Sequence, residues 1–147
     1  NYSWLSKNEN ITFQIVKDNP HLSWNDDRLS ANPNLTWDIV KTNPTKLWNY
    51  KTLSKHSNIG WDVVSKNQDM PWDYNKLSQN PNITFEIIKN NQDKPWEYKL
   101  LSCNPNITWD IIKENPNIPW DYFNLIFNPM TKAKNDFINN KSKYLKN

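Results

Sequence analysis

A 24-residue repeat constrains the fold of this chain more than any other feature of its sequence. The repeat runs without insertion or deletion from Asn10 to Pro129 and gives five whole units. Residues 1–9 match the end of a preceding unit. A period of this length indicates a stacked array in which each unit contacts mainly its neighbours in sequence. Because the array begins in mid-repeat and without Met, we expect the chain to be part of a longer protein.

Each unit predicts two short helices. The first follows a threonine N-cap such as Thr108, carries an acid in its first turn, and ends at an asparagine such as Asn115, a residue that tolerates the left-handed conformation. The second is predicted to begin at the proline before the tryptophan, because proline favours the first helical position; these prolines are Pro71, Pro95 and Pro119. Both predicted helices have about two turns and are too short to be stable alone.

The apolar positions of the repeat indicate how the units are held together. Only 36% of the chain is hydrophobic, but it contains nine Trp, six Tyr and five Phe. A few large aromatic side chains can bury as much apolar area as many small ones, at about 150–250 Å² each. The sequence therefore predicts an all-α protein, an α-solenoid whose units each contain two short helices.

The domain organisation follows from the period. Residues 1–129 form the array, with the partial unit 1–9 and the full units 10–33, 34–57, 58–81, 82–105 and 106–129. The last unit has Phe123, Ile126 and Phe127 where earlier units are mostly polar or small, so we expect a cover over them. Residues 130–147 are predicted to be a C-terminal cap helix with a basic tail, using Ala133, Phe137, Ile138, Tyr144 and Leu145 as its apolar face.

Composition excludes several classes of protein. A single Gly rules out glycine-rich phosphate loops, and a single Cys rules out a disulfide framework. No apolar run resembles a membrane span or a signal peptide, so an intracellular, non-secreted protein is expected. His21, His56 and Cys103 lie in different units and form no catalytic grouping, and the acids at the helix starts are ordinary dipole partners. We predict no enzymatic activity, no cofactor and no metal.

The charge of the array does not favour nucleic-acid binding. Residues 130–147 hold five Lys and one Asp, which leaves 13 basic and 14 acidic groups in residues 1–129. A nearly neutral array has little electrostatic attraction for phosphate. The recurring Asn-x-Ser/Thr strings also match glycosylation acceptors, but turn, cap and ladder roles explain these asparagines better; they are Asn10, Asn34, Asn82 and Asn106.

Positions that vary between units are candidates for binding a partner. In repeat proteins such positions line the exposed surfaces. Two adjacent columns of the second helix vary in this way, and they supply the candidate partner-binding residues Trp4, Arg28, Lys51, Lys76, Lys99 and Leu100. The other interpretation of these positions is that they are merely solvated.

The string at 104–116, Asn-Pro-Asn-Ile-Thr-Trp-Asp-Ile-Ile-Lys-Glu-Asn-Pro, with Pro-Trp-Asp-Tyr at 119–122, resembles the tandem Trp/Asn/Pro-rich repeats of giant DNA viruses of the mimivirus type. The resemblance covers residues 1–129 and implies no activity; if the chain is viral, host cytoplasm or the virion is its expected location.

The leading functional hypothesis is a non-enzymatic repeat scaffold that presents a protein-binding surface. The alternatives are a structural component of a virion or other assembly, which self-associates, and a weak binder of single-stranded nucleic acid.

Overall fold

The computed structural model describes residues 2–129, and over this range the chain forms eleven short helices and no strand. Five six-residue helices are the first helices of the units: α2 (Phe13–Asp18), α4 (Trp37–Thr42), α6 (Trp61–Lys66), α8 (Phe85–Asn90) and α10 (Trp109–Glu114). Six four-residue helices are the second helices: α1 (Tyr2–Leu5), α3 (Asp26–Leu29), α5 (Tyr50–Leu53), α7 (Tyr74–Leu77), α9 (Tyr98–Leu101) and α11 (Tyr122–Leu125). The all-α repeat fold is confirmed, with a solenoid-like stacking of units. The expected cap, residues 130–147, lies outside the described residues.

The first helices begin where the sequence predicts. The Thr36 hydroxyl accepts a hydrogen bond from the Ile39 N–H at 3.4 Å, and Thr12, Thr84 and Thr108 cap their helices in the same way. Their ends differ from the prediction, because the exit asparagines are not left-handed. Asn43 has φ −128°, and its side-chain amide donates to the Ile39 carbonyl at 2.8 Å. The side chain thus satisfies a carbonyl at the helix end without a positive φ.

The second helices begin three residues later than predicted. The prediction of a start at Pro71, Pro95 and Pro119 is wrong, since these helices begin at Tyr74, Tyr98 and Tyr122. The Asp73 carboxylate is the N-cap and accepts the Lys76 N–H at 3.0 Å. Trp72 therefore precedes the helix, which lets its indole N–H donate to the Asn67 carbonyl at 2.7 Å. All five equivalent tryptophans make this bond, at 2.7–2.9 Å.

The core runs along the array as a column of equivalent side chains. Leu53, Leu77 and Leu101 of the second helices are fully buried, as are Ile59, Ile83 and Ile107 before the first helices. Aromatic rings join consecutive units: the Trp72 ring lies 5.5 Å from the Trp37 ring and 5.4 Å from the Tyr50 ring, between ring centroids. Trp96 makes the same two contacts with Trp61 and Tyr74. The interlocked rings hold helices of one to two turns that would otherwise be unstable in water.

Candidate functional site

Buried asparagines link each unit to the one before it. The Asn80 side-chain amide donates to the carbonyls of Ser54, His56 and Ile59 at 2.9–3.2 Å, and its oxygen accepts the Asn82 N–H at 2.8 Å. Asn80 is fully buried. Asn32, Asn104 and Asn128 each make the same three bonds, of which two reach carbonyls of the preceding unit and the third reaches a carbonyl of their own unit. We call this set the inner asparagine ladder.

A second ladder lies closer to solvent. The Asn106 amide donates to the carbonyls of Pro81 and Ile83 at 2.6 and 3.0 Å, and Asn34, Asn58 and Asn82 repeat these bonds. Hydrogen-bonded ladders of these asparagines are a role that the sequence suggested, and the structure confirms it.

Buried serines complete the connection between units. The Ser54 hydroxyl donates to the Tyr50 carbonyl at 2.7 Å and accepts the Asp73 N–H of the next unit at 2.9 Å. The equivalent Ser6, Ser30, Ser78 and Ser102 are also fully buried and accept in the same way. Each serine therefore positions the N-cap residue of the following second helix.

His56 occupies the inner ladder position of its unit. Its ring Nε2 lies 2.9 Å from the Asn32 carbonyl, and its Nδ1 lies 3.1 Å from the Asn58 backbone N–H. A carbonyl requires a donor and an N–H requires an acceptor, so this geometry selects the neutral tautomer with its proton on Nε2. His56 thus lies in the turn and is buried there, with 8% of its surface exposed.

The ladders account for the polar groups between units. Within residues 2–129, every buried side-chain nitrogen or oxygen has a hydrogen-bond partner. A ligand is therefore not needed to complete the interior, and a binding site has to be sought on the outer surfaces.

The outer surface of the second helices is built from three columns of residues. A helix turns about 100° per residue, so the two residues before the leucine point away from the core, and the second residue after the leucine lies in the turn that follows the helix. We call these columns the second-helix face; its members are Ser3, Asp27, Lys51, Asn75, Lys99 and Phe123, then Trp4, Arg28, Thr52, Lys76, Leu100 and Asn124, then Lys7, Ala31, Lys55, Gln79, Cys103 and Phe127. Successive second helices touch along this face: the Asn124 amide, for example, donates to the Lys99 carbonyl at 3.1 Å.

The structure places all six candidate partner-binding residues on the second-helix face. The Arg28 guanidinium carbon lies 3.8 Å from the centroid of the Trp4 ring, so these two candidates stack on each other across one repeat. Trp4 is 67% exposed. Lys51 and Lys99 are exposed, whereas Lys76 and Leu100 are half-buried. The six residues thus lie in two adjacent columns of this face, and their binding role stays a prediction.

The charges of the array are sorted by surface, which the total of 13 basic and 14 acidic groups conceals. The second-helix face carries six cations and one carboxylate, a net charge of +5; the cations are Lys7, Arg28, Lys51, Lys55, Lys76 and Lys99, and the carboxylate is Asp27. The first helices carry five cations and six acids. The remaining two cations and seven acids lie in the turns, at the second-helix caps and, for Asp26, at the first residue of α3. Sequence reasoning missed this segregation because it depends on which columns share a surface.

The surroundings of Cys103 do not favour a reactive thiol. Burial raises the pKa of the Cys103 thiol, the Asp121 carboxylate raises it further, and Lys55 partly opposes them. A raised pKa keeps the thiol protonated at neutral pH, which is the reverse of an activated nucleophile. Residues 2–129 contain no group of three or more His, Cys, Asp or Glu that could hold a metal ion. Within the same range, no helix has the length and apolar character needed to cross a membrane.

Comparison with known proteins finds no matching family model, no matching curated protein and no matching solved structure.

Proposed function

We propose that the protein is a non-enzymatic repeat scaffold that binds a protein partner along its second-helix face. The observation that carries the proposal is that the variable second-helix positions share one face, on which Arg28 stacks on Trp4 and Lys51 and Lys99 are exposed. The ladders and rings join the units along the array, so the stacking does not depend on the exposed lysines of this face. Side chains that the scaffold does not use for stacking are the ones available for recognition.

The first helices present a weaker candidate surface. Their charges alternate in sign, as in the Lys113–Asp110 ion pair at 2.8 Å. An exposed pair of this kind is solvated and contributes little. The intracellular location and the giant-virus resemblance stay predictions that this proposal does not require.

Site-specific photocrosslinking tests which face binds. Asn75 and Asn90 are exposed asparagines of neighbouring units, and Asn75 lies on the second-helix face whereas Asn90 ends the first helix α8. A benzophenone amino acid is placed at one position or the other, and crosslinked proteins from a nuclease-treated lysate of the native source are identified by mass spectrometry. We expect a defined protein to crosslink from position 75 and not from position 90. Equal crosslinking from both positions, or from position 90 alone, would overturn the proposal.

A further inference from the structure

We propose that the partner of the second-helix face is an extended acidic segment of polypeptide, with carboxylates spaced about every third residue. The inference rests on the proposed function and adds the chemistry of the partner. Three features of the face point to this partner: its charge, the spacing of its cations, and the lack of aromatic rings between Arg28 and Lys99.

The charge of the face is continuous along the array. Five successive second helices, α1 to α9 in their order along the stack, each have at least one cation of the face on the helix or just after it. Lys7, Lys51, Lys55 and Lys99 are exposed. Among the described residues, none of the six cations of the face takes part in an ion pair, whereas the described ion pairs involve Lys46, Lys94 and Lys113 elsewhere. The face therefore has cations available to an anionic partner.

The spacing of these cations fits an extended chain. Packed helices lie about 8–10 Å apart, so equivalent side chains of neighbouring units are separated by roughly that distance. An extended polypeptide advances about 3.3–3.6 Å per residue, or about 10 Å for three residues. A chain that runs along the stack with an acid at every third position places one carboxylate beside each unit.

The composition of the face favours a polypeptide over a nucleic acid. Single-stranded nucleic acids are held by aromatic rings on which bases stack, as well as by cations. Between Arg28 and Lys99 the face holds Thr52, Asn75 and Gln79 but no aromatic residue. The exposed rings of the face lie at its two ends: Trp4 is already stacked on the Arg28 guanidinium, and Phe123 and Phe127 lie beyond the last cation, Lys99, and contact each other. Cations without interleaved rings suit carboxylates better than bases.

Two triple charge reversals with the same change in net charge test the inference. The face variant combines Lys51→Glu, Lys55→Glu and Lys99→Glu. The control variant combines Lys41→Glu, Lys66→Glu and Lys89→Glu on the first helices, and all six lysines are exposed. The probes are a fluorescent Gly/Ser peptide of about 18 residues with Glu at every third position, a peptide of the same composition with its Glu residues contiguous, and an oligothymidylate of similar length. Circular dichroism verifies that each variant is folded.

We expect the spaced peptide to bind most tightly to the unmodified chain, with a Kd that rises as salt is added. The face variant should weaken this binding by about tenfold or more, and the control variant by less than about twofold. Three results would overturn the inference. The spaced peptide does not bind, the face variant and the control variant weaken its binding equally, or oligothymidylate binds more tightly than the peptide and the face variant abolishes that binding.

If crosslinking from position 75 persists while the acidic peptide fails to bind, the scaffold proposal stands and only the acidic partner is wrong. If position 75 crosslinks neither the peptide nor a protein, both the scaffold proposal and the acidic-partner inference are wrong.

Discussion

At the scale of single residues, the inner ladder depends on the shape of the asparagine amide. The two side-chain N–H groups of Asn80 lie within hydrogen-bond distance of three carbonyls, so one N–H is shared between two of them, and the side-chain oxygen accepts one backbone N–H. In the sequence, each of these asparagines precedes a proline. Their bonds to the three carbonyls could not be predicted, since these partners lie 21–26 residues away in sequence and only the stacked geometry brings them close.

Replacing Asn80 by Ala should lower the free energy of unfolding by about 3 kcal/mol. The substitution leaves three buried carbonyls and one N–H without this partner, and each lost buried bond is costly. Asn75→Ala in the same unit is the control and should change stability by less than about 0.5 kcal/mol, because Asn75 is exposed. Urea unfolding followed by tryptophan fluorescence measures both. Similar losses for the two variants would show that the ladder does not hold the units.

His56→Asn should raise the free energy of unfolding by about 1 kcal/mol. The imidazole bonds to the Asn32 carbonyl, whereas an asparagine at this position reaches three carbonyls in the other units. His21→Asn, at an exposed position, serves as the control and should have little effect. A loss of stability in the His56 variant alone would mean that the ring fills this junction better than an amide does.

At the scale of helices, local signals predicted the first helix of each unit and failed at the start of the second. Threonine caps and acidic first turns are read from adjacent residues, so the starts at Trp37 and Trp109 could be predicted. For the second helix the prediction rested on the proline at 71, whereas the N-cap in the structure is the acid at 73. The acid provides the cap because Ser54 of the preceding unit fixes the Asp73 N–H, a contact that no local pattern contains.

Asp73→Ala and Asp73→Asn distinguish a second helix that begins at Tyr74 from one that begins at Pro71. If Asp73 is the N-cap, Ala should cost about 1 kcal/mol, whereas Asn should preserve the bond to the Lys76 N–H with little loss, as Asn49 does for Thr52. Thermal unfolding of the two variants measures the difference. Equal losses of stability in the two variants would instead indicate that the charge of Asp73 acts inside the first turn of the helix. That result would favour a helix start at Pro71.

At the scale of the whole molecule, the sequence predicted the array and its columns but not the surfaces that the columns form. The 24-residue period and the buried leucines could be read directly. The +5 charge of the second-helix face could not, because it depends on which of several variable columns lie side by side.

The cap stays a prediction of the sequence, and the spacing of the aromatic contacts provides a test of it. Rings of consecutive units meet 35 residues apart, as in Trp37–Trp72, and 22 residues apart, as in Tyr50–Trp72. The same spacings counted from Trp109 and Tyr122 both lead to Tyr144. If residues 130–147 cover the last unit, Tyr144→Ala should lower the free energy of unfolding by about 2–4 kcal/mol. An unchanged unfolding curve would contradict the cap.

The most direct test of the stacked-unit account compares two deletions. One removes residues 58–81, a whole unit, and the other removes residues 58–69, the half-unit that contains the first helix α6. The whole-unit deletion places Trp96 against Trp37 and Tyr50 in place of Trp61 and Tyr74, and it gives the Asn104 amide the equivalent carbonyls of Ser54 and His56. We predict cooperative urea unfolding with a smaller m-value for the whole-unit deletion, and loss of cooperative unfolding for the half-unit deletion. Loss of folding in the whole-unit deletion, or equally cooperative unfolding of both, would contradict a stack of interchangeable 24-residue units.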